Sequence, residues 1–292
     1  FGSSSAYPEL FHALTYEYKD TLTVTKNTHT LKFGASFVRD QFNGHTSITP
    51  RGVWDFSGQF TRQVGSSTTG TALADFALGA FASAQRSVQY GIFGARRWRT
   101  AFFGEDNWRV TNRLTLNLGL RHEYQSWYRD VFDRWSNLDY VHGTAIRPNL
   151  NNNCGPSMIC PDTNNFAPRV GIAYTLTSDG KTVLRTGSGF SYYAGANGGK
   201  MLHSNPPMSI IQAWSTNADS APTMLLGDGL PLPVQPNLAD PSQLTHQFYP
   251  WDPRMRAAKS IQWSFGIQRQ LMSDLMIDVS YVEGVPVVVE GW

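Results

Sequence analysis

The residues of this chain whose types could do chemistry are two neighbouring carboxylates, Glu105 and Asp106, two cysteines, Cys154 and Cys160, and seven histidines. Paired carboxylates serve acid–base catalysis when both reach one substrate. Adjacent residues of a strand point to opposite faces, so Glu105 and Asp106 cannot act together if they lie on one. Glu105 is then expected to line a polar lumen and Asp106 to sit near a rim. The histidines, at 12, 29, 45, 122, 142, 203 and 246, are scattered without the spacing of metal ligands. No Gly-x-Ser-x-Gly elbow and no phosphate-binding glycine loop occurs. The expectation is a chain that is not an enzyme, with no catalytic residue, cofactor or metal.

Cys154 and Cys160 bracket Gly155-Pro156-Ser157-Met158-Ile159. In an exported chain they meet an oxidising compartment, and a small loop disulfide is the favoured reading. Two free thiols are the alternative. Two cysteines without a nearby histidine make a poor zinc site. Arg96-Arg97-Trp98-Arg99 is basic and aromatic at the start of a strand. An anchor on lipopolysaccharide phosphates is one reading of it, and a solvated strand end is slightly preferred. Trp214, Tyr249 and Trp251 are candidate contacts for a glycan or peptide. Packing of their loop against itself, or a place in an outer aromatic girdle, is ranked ahead of that.

The elements that would carry these residues are four hairpins, 14–24/29–39, 99–110/114–126, 168–176/182–193 and 260–271/274–283. Leu14, Tyr16, Tyr18, Leu22 and Val24 alternate with Thr15, Glu17, Lys19, Thr21 and Thr23, interrupted on the apolar face by Asp20. Leu114, Leu116, Leu118 and Leu120 alternate with Thr115, Asn117, Gly119 and Arg121. A helix would scatter these leucines around its axis, because its period does not match a spacing of two. Each hairpin turn is only a few residues long. The connections between hairpins, about 43–98, 127–167 and 194–257, are long. Every short turn thus falls at one end of a strand pair and every long loop at the other, as in a transmembrane β-barrel. Glu17, Lys19, Glu105, Asn107, Asn117 and Arg121 are the candidate lumen-lining residues. Val53–Gly58 is expected to form a strand continuing the wall above the membrane, and 72–79 a short helix.

Composition agrees. Only 16% of the 292 residues are charged and 13% are aromatic, which suits a lipid-facing wall with aromatic girdles. A net charge of +2 argues against a nucleic-acid partner. Mean hydropathy is negative, −0.32, because a barrel strand shows only alternate residues to lipid. The N-terminal Phe1-Gly2-Ser3-Ser4-Ser5 has no signal-peptide pattern. The fold expected is all-β: an antiparallel up-and-down transmembrane barrel wall of about eight membrane strands, forming a single partial domain over residues 1–292.

The segment Phe102-Phe103-Gly104-Glu105-Asp106-Asn107-Trp108-Arg109-Val110-Thr111-Asn112-Arg113-Leu114-Thr115-Leu116-Asn117-Leu118-Gly119-Leu120-Arg121-His122-Glu123-Tyr124 resembles the barrel motif of TonB-dependent outer-membrane receptors, nearest the Oar-like group. His29–Gly34, Ala72–Gly79 and Gln262–Arg269 agree, in the family's order. The resemblance implies a 22-stranded barrel, an N-terminal plug through which the TonB system supplies energy, contact with outer-membrane lipid and lipopolysaccharide, and residence in the outer membrane of a Gram-negative-type bacterium. The chain shows no plug, TonB box or signal peptide and supplies too few strands for that barrel, so a middle fragment of a transporter is expected. Its function would be passage of an unidentified substrate across that membrane. The rivals are a soluble, secreted β-rich glycan-binding module and a small closed eight-stranded adhesin-like barrel.

Overall fold

A computed structural model describes residues 7–66, 68–193, 200–217, 220–244 and 247–287. In chain order the strands and helix are β1 (Leu10–Lys26), β2 (His29–His45), β3 (Val53–Asp55), α1 (Ala72–Leu78), β4 (Ser83–Gln89), β5 (Phe93–Arg109), β6 (Leu114–Gln125), β7 (Arg129–Asp130), β8 (Asn137–Asp139), β9 (Thr144–Ile146), β10 (Asn165–Thr175), β11 (Thr182–Tyr193), β12 (Ser209–Ser215), β13 (Ala258–Gln270) and β14 (Met276–Val287).

Eight of these strands form one antiparallel wall, β1-β2-β5-β6-β10-β11-β13-β14, in which each neighbour in sequence is also a neighbour in space. The four expected hairpins are all present and paired in register. Turn chemistry fixes them. Asn27 takes a left-handed φ of 52° and Gly180 one of 73°, conformations that Asn tolerates and Gly adopts freely. β2 and β5 each run 17 residues, so each extends six residues beyond its expected hairpin limit, toward or into the first connection.

Register sorts the side chains into two faces. One continuous row reads Val24, Leu31, Asp106, Leu118, Val170, Ser188, Trp263 and Glu283. The next row, on the opposite face, reads Thr23, Lys32, Glu105, Gly119, Arg169, Gly189, Gln262 and Gly284. The first face is apolar, and its large side chains, Leu22, Phe33, Phe102, Leu120 and Phe265 among them, are exposed. Of its carboxylates, Asp20 and Glu283 lie on the two outermost strands, and Asp106 on β5 is paired with His29 near the short turns. Trp98 and Trp108 stand ten residues apart on this face of β5. At about 3.3 Å per residue and a tilt near 40° they are separated by roughly 25 Å along the membrane normal, the height of an outer-membrane apolar band.

The ends of the wall differ. Short turns close one end, and the three long connections pack together at the other. Phe93, Trp127, Tyr128, Trp135, Met158, Ile159, Leu202 and Met208, drawn from all three connections and the strand ends, form one buried core. The strand expected over Val53–Gly58 does not continue the wall. β3 is confined to Val53–Asp55 and pairs with β4, which pairs with β12, giving a separate three-stranded sheet. Phe81, Ala84 and Leu230, with Trp54 and Trp214, make its core. The correction has a packing cause: Trp54 finds apolar partners in the third connection rather than above β2. Helix α1 matches the expected 72–79 segment, capped by Thr71 through a hydrogen bond from the Ala74 N–H and ended by Gly79 at φ 72°.

Among the described residues β1 pairs only with β2 and β14 only with β13, so the wall is open at both edges. The expectation for the terminal residues 288–292 lies outside the described residues.

Candidate functional site

Two adjacent rows of the polar face enclose a cavity of about 730 Å³. Its lining runs from Thr30 and Lys32 on β2 to Val282 on β14. Six strand intervals would separate these by nearly 30 Å in a flat sheet, so the wall curls around its polar face. Small residues make the room. Gly171 and Gly187 face each other, and a Cβ at Gly189 would lie 2.9 Å from Arg169 Cγ. Arg169 therefore lies across a position that any side chain at 189 would occupy.

Of the residues singled out from sequence, Glu105, Asn107 and Asn117 line this cavity together. Glu17 and Lys19 lie on the polar face of the edge strand β1, opposite Val38 and Ser36 and outside the cavity. Arg121 lies on the same face, where it is ion-paired to Glu123 and 6.0 Å from the Phe103 ring. Asp106 points the other way. On the apolar face near the short turns, its Oδ2 lies 2.7 Å from His29 Nδ1, and the His29 ring stacks on Trp108.

The polar face also holds a group that the sequence did not flag. Asp40 Oδ2 accepts from Arg97 Nε at 2.7 Å and Arg99 Nε at 2.9 Å, and Oδ1 accepts from Thr15 Oγ1 at 3.2 Å. Arg97 also lies 4.5 Å over the Tyr128 ring. The Arg96–Arg99 run is thus not a solvated strand end. Alternation divides it, with Arg97 and Arg99 on the polar face and Arg96 and Trp98 on the apolar one.

At the loop end, Cys154 and Cys160 are joined in a disulfide. Trp214 sits opposite Ala84 in the small sheet and packs on its core. Trp251 packs on the main core, and its backbone exchanges two hydrogen bonds with the Asn137 side chain, at 2.9 and 2.7 Å. The Tyr249 N–H donates to Asn205 Oδ1 at 2.7 Å, and burial pushes its phenol above the ordinary value. Asn137 and Asn205 are both fully buried. They clamp the third connection to the second, and nothing in their sequence surroundings marks them. Asp130 binds the second connection to β5. Burial opposes its ionisation, but hydrogen bonds from Arg134 and from the Gly94 N–H outweigh that and hold its carboxyl below the usual range.

Among the described residues no group of three His, Cys, Asp or Glu converges as a metal site would require. What the geometry offers is a curled polar surface behind an apolar wall, closed at one end by packed loops. A family model for the outer membrane beta barrel domain matches residues 1–284. The chain belongs to the outer-membrane β-barrel family. Its wall therefore sits in the outer membrane. Alignments to solved structures cover 95% of the chain and 31% of the copper transporter OprC at 17% identity and TM-score 0.46. They cover 94% of it and 25% of a chain in the FpvAI–pyocin S2 complex, at 12% identity and TM-score 0.42. For the ferric citrate transporter FecA in its unliganded form the figures are 95% and 36%, at 9% and 0.33. The outer-membrane chain thus spans about a third or less of the length of these structures. No curated protein matches its sequence.

Proposed function

We propose that this outer-membrane segment is part of the wall of a TonB-dependent transporter, and that its polar face lines the passage for a substrate. The observation that carries the reading is the opposition of faces: Lys32, Glu105, Asn107, Asn117 and Arg169 share one curled cavity, while the alternate residues of the same strands are apolar and exposed. A glycan-binding module in water has no use for so large an exposed apolar face. The two open edges of the wall favour a larger barrel over a closed eight-stranded one. In lipid an unpaired strand edge leaves backbone groups without partners, so further strands must cover β1 and β14. Transport, with Glu17, Lys19 and Arg121 as further lumen residues, is preferred to catalysis because the polar groups form a lining rather than a converging set.

The test is uptake by cells expressing the whole protein that carries this chain. Growth on candidate substrates should depend both on that protein and on the TonB system. Equal growth when either is deleted, across the substrates tried, would remove the transport reading.

A further inference from the structure

Charges on the central strands of the polar face are paired above the cavity and unpaired inside it. Loopward of the cavity, on β2, β5 and β6, Asp40 takes both Arg97 and Arg99, and Glu123 takes Arg121. Inside it, Lys32, Glu105 and Arg169 are all exposed, and none forms an ion pair with a described residue. Register sets them in one row: Lys32 on β2, Glu105 on β5, Gly119 on β6 and Arg169 on β10. Glu105 and Arg169 therefore stand two strand intervals apart, about 10 Å between their Cα atoms. Between them lies Gly119. A Cβ there would meet Glu105 Cγ at 3.3 Å and Arg169 Cβ at 3.7 Å, so both side chains border the space that the glycine leaves open. Beyond Arg169 comes Gly189, and in the next row toward the short turns Gly171 and Gly187 face each other. A carboxylate and a guanidinium thus flank a floor of bare backbone, neither partnered by the other.

The order of the charges says what fits. An anion drawn to Arg169 and Lys32 together would have Glu105 between them. A cation drawn to Glu105 would have a cation on either side. A solute that carries both signs close together meets neither obstacle. Its carboxylate takes the planar fork of Arg169, which donates two parallel hydrogen bonds, and its ammonium takes the Glu105 carboxylate. Asn107 and Asn117, opposite each other in the next row, add amide donors and acceptors for its remaining polar groups. We propose that the cavity binds the zwitterionic head of an α-amino acid, an ammonium and a carboxylate on one carbon, with Glu105 and Arg169 as its two charged contacts. The inference rests on the reading of the polar face as the lining of a passage, and it names the class of solute that the passage takes.

The experiment uses the whole protein carrying this chain, in mild detergent, and reads binding by saturation-transfer NMR, without transport or the TonB system. The probes are alanine, N-acetylalanine, which keeps only the carboxylate, and alanine amide, which keeps only the ammonium. Alanine should bind, and each blocked form should bind about ten-fold more weakly, because one charged contact is lost. Arg169→Gln and Glu105→Gln should each weaken alanine by a similar factor. The exchange Glu105→Arg/Arg169→Glu should recover most of the binding, because the head can lie reversed. Heat-modifiable migration on gels reports whether each variant is folded, and if one is not, the blocked probes on the unaltered protein decide. Absence of alanine binding overturns the site, and so does unchanged binding in the folded single variants. A blocked form that binds as well as alanine overturns it too, since one charge would then suffice. TonB-dependent uptake without alanine binding would sink this inference and leave the transport reading standing, and alanine binding without such uptake would do the reverse.

Discussion

Asp40 and Arg97 are joined at 2.7 Å on the polar face, near the loop ends of two 17-residue strands. The Asp40 side chain is 9% exposed and that of Arg97 13%, whereas Arg99, the second cation on the same carboxylate, is 39% exposed. Removing one member of a buried pair strands the other's charge, and removing a half-exposed member costs little. Asp40→Ala should therefore destabilise the wall by about 3 kcal/mol, and Arg99→Ala by under about 1 kcal/mol. Urea unfolding from lipid vesicles measures both. Equal losses would mean that the carboxylate is not the hub.

The two faces make a second prediction. Leu118 lies on the apolar face and Asn117, beside it, lines the cavity. Leu118→Arg should cost about 2–4 kcal/mol. Asn117→Arg should be nearly neutral, because its new charge stays in water. The same unfolding assay separates them, and equal tolerance would contradict the assignment of faces.

Sidedness gives a third. Epitope insertions at Asn27, Asn112, Gly180 or Ser273, all at the short turns, should be hidden in intact cells and revealed on lysis. Insertions at Gly65 or Gly143, where added atoms would meet nothing within 4 Å, should be labelled from outside. Labelling of both groups in intact cells would reverse or abolish the topology.

The cap should loosen in acid. The Asp130 carboxyl is held below its ordinary value in the fold. The unfolded segment therefore binds more protons, and the stabilisation is complete above the ordinary carboxylate pKa of about 4. It is lost as pH falls from there through the lowered folded value. Protease cleavage near Asp130 should rise over that acid range and be flat above it. Asp130→Asn should cleave faster at neutral pH and lose the acid dependence. Parallel pH curves for the two proteins would show that Asp130 is not responsible.

The wall was legible in the sequence because its signals are local. Leu114 to Leu120 alternate without a break, and Asn27 and Asp179-Gly180 specify their turns through a few neighbouring residues. The cap was not, because its contacts are distant and its strands do not look like strands. β4 reads Ser-Ala-Gln-Arg-Ser-Val-Gln, and it is a strand because β12, more than a hundred residues on, pairs with it. Asn137 and Asn205 act through backbone groups that no pattern names. The Arg96–Arg99 run is visible in the sequence as a basic cluster. The same period of two that identified the hairpins divides it between the two faces, and applying it to charged residues would have found Asp40 as the inward partner.

The pairing of β4 with β12 also sets a timetable. Ser87 pairs in register with Ile211, 124 positions later, so the first connection cannot take its final form until the third has emerged. Contacts so distant in sequence form late and slowly. Until then β4 lacks its β12 partner and the first connection stays unzipped. Arrival of Ser209–Ser215 closes that interval. A chain cut short before residue 209 would leave β4 without β12 and the small core without Trp214, so its first connection should be cleaved more readily than in the full 292 residues.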